Sequence, residues 1–179
     1  MKRFFLYYSI KSIYIMKKLL LLFLSIGLLI SCESTVVEKS AGVANSEGAK
    51  YIFGSEEDNQ IAIDLVLAYA DKNTDLMYEM MTDTIRYWPS QGGEMMVLTR
   101  DAVHDVVNQL HSPYDSISRN VWNSVPLVTE GTDYTRVTVA FSESRYLKDG
   151  TQENVRLIDR IFIRDGKIFR IHQWDAEME

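Results

Sequence analysis

An α+β fold is predicted, with helices first and a curved antiparallel sheet last, from three observations. Residues Ile61 to Ala70 are apolar nearly all round over a length too great for an ordinary buried strand. Beyond Pro113 the apolar period switches to two, and three turns, Glu130-Gly131, Asp149-Gly150 and Asp165-Gly166, punctuate that half of the chain. Helices that precede a run of strands have to cover one face of the sheet those strands make.

The chain opens with a segment that does not belong to this fold. Lys17 and Lys18 precede the nearly unbroken apolar run Leu19 to Ile30, which suits the core of a signal peptide and is too short to span a bilayer unaided. Leu29-Ile30-Ser31-Cys32 follows, and it resembles the lipobox of bacterial lipoproteins. That resemblance implies cleavage before Cys32 and acylation of it, and hence a lipid-anchored domain in the cell envelope, on the outer membrane and outside the cytoplasm. Cys32 is the only cysteine, so an internal disulfide is excluded. Because a complete signal starts at Met16, translation is expected to begin at Met1 or at Met16.

Residues 1–31 are thus read as signal peptide, 32–57 as a flexible tether and 58–179 as one domain. The tether is poor in large apolar side chains, except at Tyr51-Ile52-Phe53, which suits an edge segment. Five of the nineteen basic residues and none of the twenty-five acidic ones precede Cys32, so the rest carries 14 − 25 = −11. That sign argues against nucleic acid as a partner, and against adhesion of the domain to anionic lipid.

Within the domain, Asp71 to Asp75 breaks the first helix, and Asn73 or Thr74 caps a short second one carrying Met77, Met80 and Met81 as packing residues. A strand from Thr84 to Trp88 stops at Pro89. Thr99 is expected to cap a third helix with an apolar stripe of Val103, Val106, Val107 and Leu110, and with His104 and His111 on its polar face. Strands 117–128 and 134–147 and the hairpin Asn154 to Asp175 then make a four-stranded antiparallel meander.

The hairpin raises the functional question. Val155, Leu157, Asp159, Ile161 and Ile163 share one face of its first strand, which is apolar but for one carboxylate. A buried carboxylate has to be paired, hydrogen-bonded or open to a wet cavity. The same count places Phe169, Ile171 and Gln173 inward on the second strand, with His172 outward unless the strand end twists. Glu143 and Arg145 continue the inward run Val137, Val139, Phe141 as an ion pair near a mouth.

The ordered set Asn73, Asp75-Leu76, Met80, Asp83, then Arg164-Asp165-Gly166-Lys167-Ile168 leading to Trp174-Asp175, resembles the nuclear transport factor 2 (NTF2)-like superfamily, especially its SnoaL-like branch, over residues 58–179. The resemblance implies a cone-shaped, cystatin-like fold, with three N-terminal helices packed on a curved sheet. It also implies a pocket at the open end, and frequent dimerisation through the outer sheet face, where Trp122, Ile158 and Phe162 make an apolar patch. Enzymes of that family mostly use a cavity carboxylate as base with Tyr, Asp or Asn donors, which makes Asp159 the catalytic candidate.

The pocket candidates are therefore Tyr69, Tyr87, Trp88, Glu143, Arg145, Asp159, His172, Gln173 and Trp174. Asp159 also has a structural explanation, as a partner of Arg145 or of a tyrosine hydroxyl. No metal or cofactor is indicated: His104 and His111 are two helical turns, roughly 10 Å, apart, and neither a nucleophile elbow nor a Gly-rich phosphate loop occurs. With one inward acid and no second catalytic group fixed beside it, the reading favoured is a non-enzymatic lipoprotein that binds a small apolar or amphipathic molecule or a protein partner. The alternative is a hydrolase, isomerase or dehydratase using Asp159 as general base.

Overall fold

The computed structural model describes residues 40–90 and 92–177; Cys32, the signal segment 1–31 and the first part of the tether lie outside them. Strands β1 (Gly42–Val43) and β2 (Lys50–Phe53) come first, followed by helices α1 (Glu56–Ala70) and α2 (Thr74–Met80). Next are β3 (Met81–Trp88), β4 (Met96–Thr99) and, after a 3-10 turn over Arg100–Ala102, helix α3 (Val103–His111). Four long strands complete the order: β5 (Tyr114–Thr129), β6 (Thr135–Leu147), β7 (Gln152–Arg164) and β8 (Lys167–Glu177).

All eight strands form one curved, unclosed sheet in the order β1-β2-β5-β6-β7-β8-β3-β4. The expected meander is its centre. What periodicity did not show is the flanks, where β3 runs parallel to β8 and β2 pairs with β5 through Tyr51–Thr129 and Phe53–Leu127. Tyr51 to Phe53, expected as an edge segment, thus form part of β2, and Glu56 and Glu57, read as the end of a tether, belong to α1.

Local chemistry sets most element ends. Ser55 Oγ accepts from Asp58 N–H (3.0 Å) to start α1, and Asn73 Oδ1 accepts from Leu76 N–H (3.2 Å) to start α2. Thr99, expected to cap α3, makes no such bond, because the chain enters through the 3-10 turn and α3 proper begins three residues later. At the β7–β8 hairpin Asp165 and Gly166 both have positive φ (51° and 69°), the backbone a type I′ turn requires.

The helices cover one face of the sheet. Ala62, Leu65 and Val66 of α1 and Met77 and Met80 of α2 are buried against Val137, Val139 and Phe141 of β6 and Leu157, Ile161 and Ile163 of β7. The methionines are therefore core residues. Alternation along β7 holds, but a bulge between Phe162 and Ile163 in the pairing with β8 shifts the count there. Ile168, fully buried, takes the inward place, and Phe169, expected inward, stacks outside with Phe162 and Tyr134.

The start of α1 is fixed to the sheet by a close approach. Gly54 N–H donates to Pro126 O (3.0 Å), and the Thr135 hydroxyl donates to the Asp58 carboxylate. A Cβ on Gly54 would lie 2.6 Å from Thr135 Cγ2 and 3.2 Å from Pro126 Cβ. Gly54→Ala is therefore expected to lower unfolding stability by about 1–3 kcal/mol in urea melts; an unchanged midpoint would show that the contact carries no constraint.

Candidate functional site

A cavity of about 220 Å³ lies between the helices and the concave face of the sheet. Its apolar wall comes from Leu65 and Val66 of α1, Met77 of α2 and Val106, Val107 and Leu110 of α3. Its polar side is built by the strands: Tyr87 from β3, Arg119 from β5, Glu143 and Arg145 from β6, Asp159 from β7 and Gln173 from β8, with Tyr69 added by α1.

Asp159 sits at the middle of β7, opposite Gln173 on one side and Val139 on the other, and is 4% exposed. Gln173 Nε2 donates to its Oδ1 (2.9 Å), and the Tyr87 hydroxyl donates to Gln173 Oε1 (3.2 Å). The glutamine is thereby locked in one orientation between a donor and an acceptor. Oδ2 of Asp159 has no protein partner among the described residues, nor is it sealed away, so it is free to meet a molecule in the cavity.

The electrostatics follow from burial. Loss of water pushes the Asp159 carboxyl up from 3.8 to about 6, against the opposing pull of the Arg119 cation and the Gln173 hydrogen bond. Burial, and then the Asp159 carboxylate, push the Tyr87 phenol well above its ordinary value, and burial raises Tyr69 as well. Both phenols therefore stay protonated hydrogen-bond donors at neutral pH.

Beside this trio lies a buried charge cluster. Glu143, 1% exposed, accepts from Arg119 Nε on one oxygen (2.6 Å) and from Arg145 Nε on the other (2.5 Å). Arg119 also donates to Val66 O (3.1 Å) and lies over the rings of Tyr69 (4.2 Å) and Phe141 (4.7 Å), so a cation that would be costly to bury is paired on its edge and covered on its faces. Glu143 is thus deep within the fold rather than near a mouth, and only Arg145, also 3.9 Å from Glu153, reaches outward. Since Glu143 holds Arg145, that arginine is not the partner of Asp159.

Six of the nine pocket candidates, Tyr69, Tyr87, Glu143, Arg145, Asp159 and Gln173, line this cavity. Trp88, His172 and Trp174 do not. His172 pairs across from Arg160 on the opposite face of the sheet and packs against Trp88 (4.2 Å) and Trp174 (5.8 Å), because the strand end keeps its alternation instead of twisting inward. His111, expected on a polar helix face, is 6% exposed and bonds Tyr69 O through Nε2 (2.8 Å). Sequence reasoning missed Arg119. The signal was there: Arg119 shares the alternation of Ile117 and Val121, and its register partner is Glu143. Among the described residues no group of three side chains is placed to hold a metal ion.

No family model matches the sequence, and no curated protein matches it. Solved structures do resemble it. An NTF2-like protein from Anabaena variabilis superposes with a TM-score of 0.56 at 11% identity, covering 71% of this chain and 96% of its own. A protein of ketosteroid isomerase-like fold from Catenulispora acidiphila, complexed with trimethylamine, gives 0.54 at 13% over 66% and 86%. An M. tuberculosis LEH-like epoxide hydrolase gives 0.53 at 8% over 67% and 83%. The chain therefore has the NTF2-like fold.

The raised carboxyl has a signed consequence for stability. A folded-state value above the unfolded one favours the native state at low pH, and this contribution is lost as pH rises from about 4 through about 6. Asp159→Asn is accordingly expected to be more stable than wild type at neutral pH by on the order of 3 kcal/mol. The gain should vanish near pH 4; a gain independent of pH would place Asp159 in an ordinary, hydrated setting.

Proposed function

We propose that this chain is an exported lipoprotein, tethered through Cys32, whose NTF2-like cavity binds a small amphipathic molecule. The apolar part of the ligand lies against α1, α2 and α3, and its polar end meets Asp159, Gln173 and Tyr87. The observation that carries the reading is the unpartnered Oδ2 of Asp159. A buried carboxylate oxygen with only half of its bonding met is an acceptor held ready for a ligand donor. The cluster of Arg119, Glu143 and Arg145 is closed on itself, so it serves as a fixed polar floor, not as a second binding arm.

A second reading has its own support. A carboxyl shifted to about 6 exchanges a proton near neutral pH, and the Tyr87–Gln173 pair fixes its orientation, as general acid–base catalysis requires. An LEH-like epoxide hydrolase shares the fold, and so does a protein seen with trimethylamine. The fold thus hosts both catalysis and binding and does not choose between them.

Native mass spectrometry of the purified chain tests the binding reading. A small molecule released on denaturation is expected, and it should be missing from Leu110→Trp, which fills the cavity from its half-exposed helical side. A wild type with no bound mass, or a variant that still carries it, would remove this cavity as the site. If Asp159 is a base, Asp159→Asn loses at least about 100-fold in conversion of the bound molecule, measured at saturating concentration so that weakened binding does not enter. Cys32→Ser should move the protein from the membrane to the soluble fraction; persistence in the membrane would refute the lipid tether.

A further inference from the structure

The face of the sheet turned away from the cavity has a different chemistry. By register, Arg136 of β6, Phe162 of β7, Arg170 of β8 and Arg86 of β3 lie in one row across four strands, with Arg160, His172 and Trp88 in the next. Arg156 and Arg164 extend the cationic column along β7. Six of the fourteen basic residues beyond Cys32 therefore share one face. The outward positions of β6, β7, β8 and the end of β3 carry no carboxylate. Only Arg164 has an acid partner among the described residues, Asp133 in the β5–β6 turn (2.9 Å).

These arginines are held by aromatic rings instead of by acids. Arg160 lies over Trp174 (4.9 Å), Arg156 over Trp122 (5.6 Å) and Arg170 over Phe162 (4.7 Å). Stacking covers one guanidinium face, and the buried Nε of Arg136, Arg160 and Arg170 has no hydrogen-bond partner among the described residues, so these cations are not neutralised within the fold. Between them Trp122, Trp174 and Ile158 are 43–49% exposed. Cations beside exposed indoles and an aliphatic side chain suit an interface that is anionic at its surface and apolar just below it.

We propose that this outer face docks the domain on an anionic lipid surface. A second copy of the chain is a poor occupant, because a two-fold pairing sets six arginines against six with no acid between them. Chain length favours a membrane. Seven residues separate Cys32 from Ser40, a reach of about 30 Å at most. The segment they lead into ends beside this same face, where the Tyr51 hydroxyl accepts from Arg136 (2.6 Å). The choice of lipid rests on the Cys32 tether proposed above; the charge of the face does not. The net charge of −11 is no obstacle, since the acids lie elsewhere and screening limits each charge to about 8–10 Å.

The chain supplies its own reporters, since all three tryptophans, Trp88, Trp122 and Trp174, lie on this face. The full chain is mixed with vesicles containing brominated phosphatidylcholine as quencher, with or without phosphatidylglycerol. Flotation with neutral vesicles reads the tether, and tryptophan quenching on anionic vesicles reads the face. Expected is strong quenching only when phosphatidylglycerol is present, reversed by added salt. Arg86→Glu combined with Arg156→Glu, both at exposed positions, should weaken the effect by at least about tenfold. The salt titration of the wild type decides the matter even if that variant folds poorly. Equal quenching on both vesicle types, or none on either, overturns the proposal. So does a sedimenting dimer whose tryptophans stay unquenched, or binding to polyglutamate or an anionic polysaccharide without quenching on vesicles.

Discussion

The alternation of strand β7 is the constraint on which the rest of the molecule depends. Its odd positions bring Leu157, Asp159 and Ile161 into the core, and its even positions turn Arg156, Arg160 and Arg164 outward. A slip of one residue against β6 or β8 would bury three guanidinium groups and expose the acid, at a cost of several kcal/mol per unpaired charge. The pairing of Asp159 with Val139 and Gln173 is therefore enforced from both faces at once. One strand thus specifies a cavity with a single sensitive carboxyl on one side and a cationic surface on the other.

The interior shows two ways of keeping charge in a dry place. Glu143 is neutralised by direct contact with Arg119 and Arg145, and the cluster is complete without any ligand. Asp159 has no cation in contact; its ionised form is held only by one amide and by the more distant field of Arg119, and it shifts toward its neutral form. The first arrangement is rigid and serves the fold. The second is incomplete, and incompleteness inside a cavity is what a binding or proton-transfer site needs.

Much of this was legible in the chain itself. The helices, the long strands and the inward place of Asp159, Glu143 and Gln173 follow from period, turn residues and parity, because those signals are local. Three things were not. The bulge at Phe162 moved Phe169 outside, and nothing in a regular alternation marks a bulge. Trp88, His172 and Trp174, counted among the pocket candidates, lie on the opposite face; His172 would have needed a twist of the strand end to turn inward, and its parity was the better guide. The parallel pairing of β3 with β8 joins residues 86 apart in the chain, as the Tyr87–Gln173 bond shows, and no window of sequence contains it.

That same pairing has a consequence for how the molecule comes into being. β8 follows every other strand in the chain, yet it lies between β7 and β3, so three of the eight strands in the sheet are joined only once it arrives. Gln173, the side chain that orients both Asp159 and Tyr87, comes with it. A nascent polypeptide halted before this strand lacks Ile171 and Gln173, and with them one wall of the hollow. Pairing of such distant partners is slow, and the site is complete only once it has formed.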